Sequence, residues 1–430
     1  MRVLVLGGYG FIGAEIVRAL LRDGHEVLGL GRSAATGERL LPDVRWIAAD
    51  MARLDTPEKW APYLSGVDAV VNAAGALQDG PRDRLSAIHQ MSIVACRDAM
   101  QKAGVRRFVQ ISAVGASLSS STNFMSSKAH GDAAIKASTL DWVILRPGLV
   151  IGRGAFGGTQ LLRMIAAIPC VEALAFPEAR VQTVAMDDVV DAVRRAVAGA
   201  LPARSVFDLV EEAPRSLREI VRAFRRWLGA SGPTVEVDVP AWLVRPVSWA
   251  ADFAGVLGWR SPLRSTAMRV LSENIIGDPA PYRRAAGRSL KSLDETLRDM
   301  PATMQERVFA RASLALPVMI ATLGSFWIAS GVIGLLEVDR AATHLGALGE
   351  GAAKALVISA SLLDIAVGAG IFWRPTARRA CLASLIISAV YLAAGSITEP
   401  QLWLDPFGVL VKVFPAVALA GATALILEER

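Results

Sequence analysis

The chain is poor in the residues that build metal and disulfide sites. It holds three cysteines among 430 residues, Cys96, Cys170 and Cys381. Their wide spacing excludes a disulfide scaffold and a cysteine-held zinc or iron–sulfur centre. The four histidines have no close spacing, so no metal site is expected from them either. Tyrosine is equally scarce: Tyr9, Tyr63, Tyr282 and Tyr391 are all there are. Charged residues make up 20 % of the chain and hydrophobic ones 53 %. A mean hydropathy of +0.40 excludes a disordered chain and is high for a wholly soluble enzyme. The net charge of +6 fits either a nucleic-acid partner or a membrane protein with cytoplasmic arginines.

The distribution along the chain favours the membrane. Residues 1–300 have ordinary globular composition, with charges scattered throughout. Beyond residue 312 four apolar segments follow, Ser313–Leu336, Ala352–Trp373, Ala380–Thr398 and Gly408–Leu427. Each is long enough to span hydrocarbon as a helix. Arg307 and Arg311 precede the first, and Arg374, Arg378 and Arg379 lie between the second and third. The other two connections are acidic. The positive-inside rule then places the long N-terminal part and the C-terminus in the cytoplasm. The N-terminus does not read as a signal peptide, because glycines and Glu15 break its short apolar run.

The N-terminal part alternates strand-like and helix-like patterns, which predicts a doubly wound parallel α/β sheet. Arg2–Leu6 reads as the first strand and Ala14–Arg22 as the first helix. Between them Gly7, Gly10 and Gly13 form a G-x-x-G-x-x-G turn, with Phe11 and Ile12 inside it. Glycines there let backbone approach a pyrophosphate, and the helix N-terminus attracts its charge. The second strand ends in Gly31, Arg32 and Ser33, where an NAD site would carry an acid. Arg32 can pair with a 2′-phosphate, so NADP(H) is expected over NAD(H). Asp50 and Met51 are expected at the adenine edge. Ala73, Ala74 and Gly75 leave room for ribose and phosphates, and Ser112 ends the fifth strand.

VLVLGGYGFIG, VVNAAG, FVQISAVG and VILRPGLVIGRG occur in an order that resembles the short-chain dehydrogenase/reductase superfamily, in its extended or atypical, epimerase-like branch. The soluble half is similar to the subgroup holding the accessory NADPH-binding subunit of complex I. The PAWLVRPVSWAADFAGVLGWRSPLRS and IGDPAPYRRAAGRSLKSLDETL stretches, followed by four spans, resemble bacterial fusions of such a reductase to a DoxX-like membrane domain. The resemblance implies a Rossmann-like domain with its substrate lobe over 1–220 and a four-helix transmembrane domain over 312–430. Residues 221–311 are expected to form an amphipathic, membrane-associated connector.

Family catalysis uses a Tyr-x-x-x-Lys pair and an upstream serine. The matching stretch is STNFMSSKAHGD. Lys128 takes the lysine position and Ser112 the serine, but the tyrosine position is Phe124. A phenyl ring has no proton to give. Lys128 is expected to keep a ribose-binding role, and Pro147, in the RPG stretch with Arg146, to be among the cofactor-binding residues.

Two functions follow, with a sugar- or lipid-modifying epimerase as a third. One is an oxidoreductase passing hydride to an apolar, membrane-held acceptor such as a quinone or isoprenoid. The other is a non-catalytic nucleotide-binding subunit of a membrane redox complex, or a redox sensor. The expected setting is a bacterial inner membrane, crossed several times, with the lipid bilayer as a partner. Basic residues 215–228 carry no nucleic-acid signature, so no nucleic acid is expected. Trp242, Trp249 and Trp259, with Arg245 and Arg260, suit a bilayer interface. Asp364, inside the second span, is a candidate functional carboxylate.

Overall fold

The computed structural model describes residues 1–430 apart from 77–78, 81–83, 260, 346–347 and 428–430, so Arg260 lies outside the described residues. Seven strands form the main sheet: β1 (Arg2–Leu6), β2 (Glu26–Gly31), β3 (Arg45–Ala48), β4 (Ala69–Asn72), β5 (Arg107–Ile111), β6 (Asp141–Pro147) and β7 (Ser205–Leu209). Their spatial order is β7-β6-β5-β4-β1-β2-β3, and every pairing is parallel. The crossovers include α1 (Gly13–Arg22), α2 (Ser92–Ala103), α3 (Asn123–Lys136) and α4 (Met186–Ala198).

Alternating side chains build two cores, one on each face of the sheet. Val3, Val5, Val109 and Val143 pack against Ile16 and Leu20 of α1 and Val189 and Val193 of α4. Leu4, Leu6, Phe108 and Ile144 pack on the other face against Trp60, Ile93 and Met100. Burying each such side chain stabilises the fold by roughly 1.5–3 kcal/mol. The strand order reverses between β1 and β4. That crevice, at the carboxyl ends of the strands, is where open α/β sheets bind ligands.

The chain divides into two compact units, Met1–Asp252 with Ser261–Arg307, and Phe253–Arg260 with Val308–Arg430. In the first, the basic helix α5 (Leu217–Trp227) meets acids. Arg218 and Arg222 reach Glu236 at 2.9 and 2.6 Å, and Arg222 also reaches the buried Glu172 at 3.2 Å.

The second unit is helical. α6 (Met304–Leu336), α7 (Glu350–Phe372) and α8 (Arg374–Thr398) are each long and apolar enough to cross a membrane. Close approach of α6 to α7 depends on glycine. A Cβ at Gly331 would stand 2.3 Å from the Ser361 carbonyl oxygen, and one at Gly368 would stand 2.7 Å from that of Gly324. The fourth apolar segment is shorter than expected. Its helix, α9, covers only Val413–Ile426. Asp405 explains the late start: its side chain accepts from the Phe407 N–H and its carbonyl from the Gly408 N–H, both at 2.8 Å, and Gly408 turns at φ +64°. Ala420 and Ala424 of α9 still pack in one core with Leu323, Trp327 and Ile371.

Candidate functional site

The glycine turn is built so tightly that side chains are excluded from it. Gly7 lies at φ +70°, and a Cβ there would stand 2.7 Å from the Ala74 Cα. A Cβ on Gly13 would stand 2.1 Å from the Gly7 carbonyl oxygen. The Gly7 N–H donates to Leu30 O at 2.9 Å and the Gly10 N–H to Gly7 O at 2.8 Å. The turn thus brings the N-terminus of α1 to the reversal between β1 and β4. A bare backbone at a helix N-terminus is the cradle a dinucleotide pyrophosphate requires. The ring of Phe11 stacks on Phe156, with centroids 6.3 Å apart, and Ile12 is the residue before α1.

The other residues assigned to the cofactor do varied work. Ser33 accepts the Thr36 N–H at 3.2 Å and caps the helix that follows β2. Its own N–H donates to the Tyr9 hydroxyl at 3.1 Å. Arg32 is exposed. Asp50 accepts the Ala52 N–H at 3.0 Å, and Met51 is buried in the core under β1 and β2. The Ala73 N–H donates to Leu6 O at 3.0 Å, and the Ala74 N–H to the Asn72 side chain at 3.1 Å. Pro147 closes β6, and its carbonyl accepts the Val114 N–H at 3.1 Å.

Helix α3 carries Phe124, Lys128 and Asp132 one turn apart on a single stripe. Thr122 caps it, accepting the Met125 N–H at 3.4 Å. Lys128 is buried, and its Nζ donates to Ile111 O at 3.1 Å at the end of β5. Burial pushes this lysine down to about 8, against a smaller opposing effect of Asp132. A Cβ on Gly75 would stand 3.6 Å from its Nζ. Ser112 is also buried. Its hydroxyl donates to Asp132 Oδ2 at 2.9 Å, and Arg146 Nη2 donates to the same oxygen at 2.9 Å.

Sequence reasoning passed over His89. It sits buried in the turn Ala87–Met91. Its Nε2 accepts the Ala76 N–H at 3.2 Å. The proton therefore resides on Nδ1, which donates to Ser127 Oγ at 2.9 Å. Ser127 passes a hydrogen bond to Phe124 O at 3.0 Å. Burial, reinforced by Lys128, holds His89 neutral down to about 2. α3 approaches this turn through Gly131, where a Cβ would stand 2.2 Å from His89 O. No local pattern marks the histidine, because its partners are 13 and 38 residues away.

In the helical unit Asp364 is buried. It accepts from Ser330 of α6 and Tyr391 of α8, each at 2.8 Å. No cluster able to hold a metal ion occurs among the described residues.

Residues 7–162 match the family described as NAD(P)H-binding, and residues 324–421 match the DoxX-like family. The chain therefore joins an N-terminal NAD(P)-binding Rossmann domain to a C-terminal DoxX-like helical domain. Ceramide reductase of Caulobacter vibrioides is 26 % identical over 243 residues, 55 % of this chain and 74 % of that protein. A mitochondrial NADH dehydrogenase [ubiquinone] 1 alpha subcomplex subunit 9 of Arabidopsis thaliana is 26 % identical over 157 residues, 34 % of this chain and 38 % of that protein. The chain spans about half of two further relatives, 54 % and 44 %. Among solved structures, the Bordetella bronchiseptica enzyme WbmG in complex with NAD matches with a TM-score of 0.52 at 21 % identity, over 69 % of this chain and 92 % of that one. A further solved structure of this fold also holds NAD.

These complexes overturn the preference for NADP(H), which rested on Arg32 and Ser33. An arginine after β2 does not by itself demand a 2′-phosphate, and the Ser33 hydroxyl is engaged in its own helix cap. NAD(H) is favoured.

Proposed function

We propose that the protein is a membrane-anchored, NAD(H)-dependent oxidoreductase acting on an apolar acceptor held in the bilayer, such as a quinone, an isoprenoid or a lipid carbonyl. The observation that carries this reading is the bare glycine cradle facing a buried lysine across one crevice. Gly7, Gly10 and Gly13 offer backbone to a pyrophosphate, and Lys128 offers a donor for the ribose. When bound, the nicotinamide supplies a hydride. Lys128 stands 5.7 Å from the centre of the Phe124 ring, and at about 8 it exchanges protons near neutral pH. His89 and Ser127 hold the α3 backbone that presents it. The relative named for reducing a ceramide supports an apolar, membrane-borne acceptor.

The bacterial inner membrane is the setting this reading implies, with the N-terminal unit in the cytoplasm. Arg307 and Arg311, before the first span, and Arg374, Arg378 and Arg379, between the second and third, support that orientation.

Phe124 and the inward-turned Ser112 favour a second reading, a nucleotide-binding subunit without turnover. The deciding experiment follows NADH fluorescence over time with the full chain in lipid nanodiscs containing a short-chain quinone or a lipid ketone. Protein-dependent decay that is lost in Lys128→Met supports the enzyme. A stable bound signal with every acceptor overturns it and leaves the structural subunit.

A further inference from the structure

An apolar groove of about 630 Å³ runs between α7 and α8. Its floor is made of small residues, among them Ala366, Gly370 and Ala383. Thr376 is a polar group on its wall, and its hydroxyl already donates to Gly370 O at 2.8 Å. At the end where α7 turns into α8 stand Trp373, half exposed, and the exposed Arg379. Trp259 seals the same turn. Its indole N–H donates to Phe372 O at 2.6 Å, and the Arg374 guanidinium stands 5.4 Å from its ring centroid. Two tryptophans at one end of two membrane-length helices mark the level of the lipid headgroups.

We propose that this groove binds one anionic phospholipid, with its acyl chain along the small-residue floor and its phosphate on Arg379. The groove offers methyl surface along its length and a guanidinium at one end, which is the polarity of such a lipid read in reverse. The first two turns of α8 carry Arg374, Arg378 and Arg379 and no acidic residue, so this end of the groove is basic. A second copy of the chain is a poorer occupant. A two-fold contact through the groove sets these arginines against their own copies.

The test uses the full chain in detergent, titrated with phosphatidylglycerol or phosphatidylcholine and read by native mass spectrometry. The expected result is retention of one phosphatidylglycerol in clear preference to phosphatidylcholine. Arg379→Gln lowers that retention about fivefold, the effect of one basic contact. Arg379→Lys restores most of it. Ala383→Phe, which fills the floor, lowers retention of both lipids while Arg379 is intact. Equal retention of the two lipids, or unchanged phosphatidylglycerol retention in Arg379→Gln, overturns the proposal. So does efficient disulfide-linked dimer formation by Ala383→Cys in native membranes, since the groove would then be an interface between copies.

Discussion

The ammonium of Lys128 stands 5.7 Å from the centre of the Phe124 ring. The two are four residues apart on one face of α3, the spacing of the Tyr-x-x-x-Lys pair that the sequence resemblance implies, with a phenyl ring in the tyrosine position. The side chains around this pair contact one another. His89 stacks edge-on to Phe124 at 6.0 Å, and Ser112 gives its hydrogen to Asp132.

Restoring the hydroxyl is therefore informative. Phe124→Tyr puts a phenol beside a lysine that lowers its pKa. If the site is otherwise intact, NADH-dependent reduction of simple ketones should rise by about 10²-fold or more, the usual worth of a positioned general acid. Steady-state rates with a ketone panel measure this. No gain, combined with lost native NADH consumption, would mean that Phe124 itself shapes the acceptor site.

His89 makes the fold sensitive to acid. Its folded pKa of about 2 lies below the unfolded value of 6.5. Between those values the unfolded chain binds a proton that the folded chain refuses, so stability falls as pH drops below 6.5. From pH 7.5 to pH 5 this amounts to about 2 kcal/mol. His89→Gln, which keeps a donor and an acceptor but cannot charge, should flatten the melting temperature over that range. Parallel pH curves for the two proteins would sink the idea.

Gly13→Ala tests the cradle. The added methyl meets the Gly7 carbonyl oxygen, so the turn must open. The overpacking costs roughly 1–3 kcal/mol. NADH affinity should fall at least tenfold in a fluorescence titration, while the helical content measured by circular dichroism stays unchanged. Unaltered affinity would place the nucleotide elsewhere.

The C-terminal side of the membrane depends on α9. At 14 residues it is about 21 Å long, short of the ~30 Å hydrocarbon core. We expect it to cross together with its flanking turns, leaving the C-terminus in the cytoplasm. A C-terminal fluorescent-protein fusion should then glow in a bacterial host, and an alkaline phosphatase fusion should be inactive. The reverse pattern would mean three crossings.

Much of the fold is legible locally. Each of β1, β2 and β4–β6 is a short apolar run beside a helical pattern, and the glycine turn joins the first pair. The parallel sheet needs little else, because burial on both faces demands such runs. The three long spans are legible for a similar reason, since lipid requires an unbroken apolar helix. The site was legible only in part. Lys128 and Phe124 share a helix and a fixed spacing. Ser33, Asp50 and Met51 sit where the strands end, yet two of them cap short helices and the third fills the core. Sequence position marks the sheet edge and not the direction of the side chain.

By itself, then, the sequence determined the order of the elements, the glycine turn, the spacing of Phe124 and Lys128 and the membrane-length helices, because each is a property of neighbours along the chain. Only the tertiary structure decided that Ser112 turns inward to Asp132 and Arg146, that His89 is held neutral between Ala76 and Ser127, and that Asp364 is met by Ser330 and Tyr391. Those contacts join residues from separate strands and helices. Burial makes them obligatory, since a polar group removed from water must find its partner wherever the fold brings one.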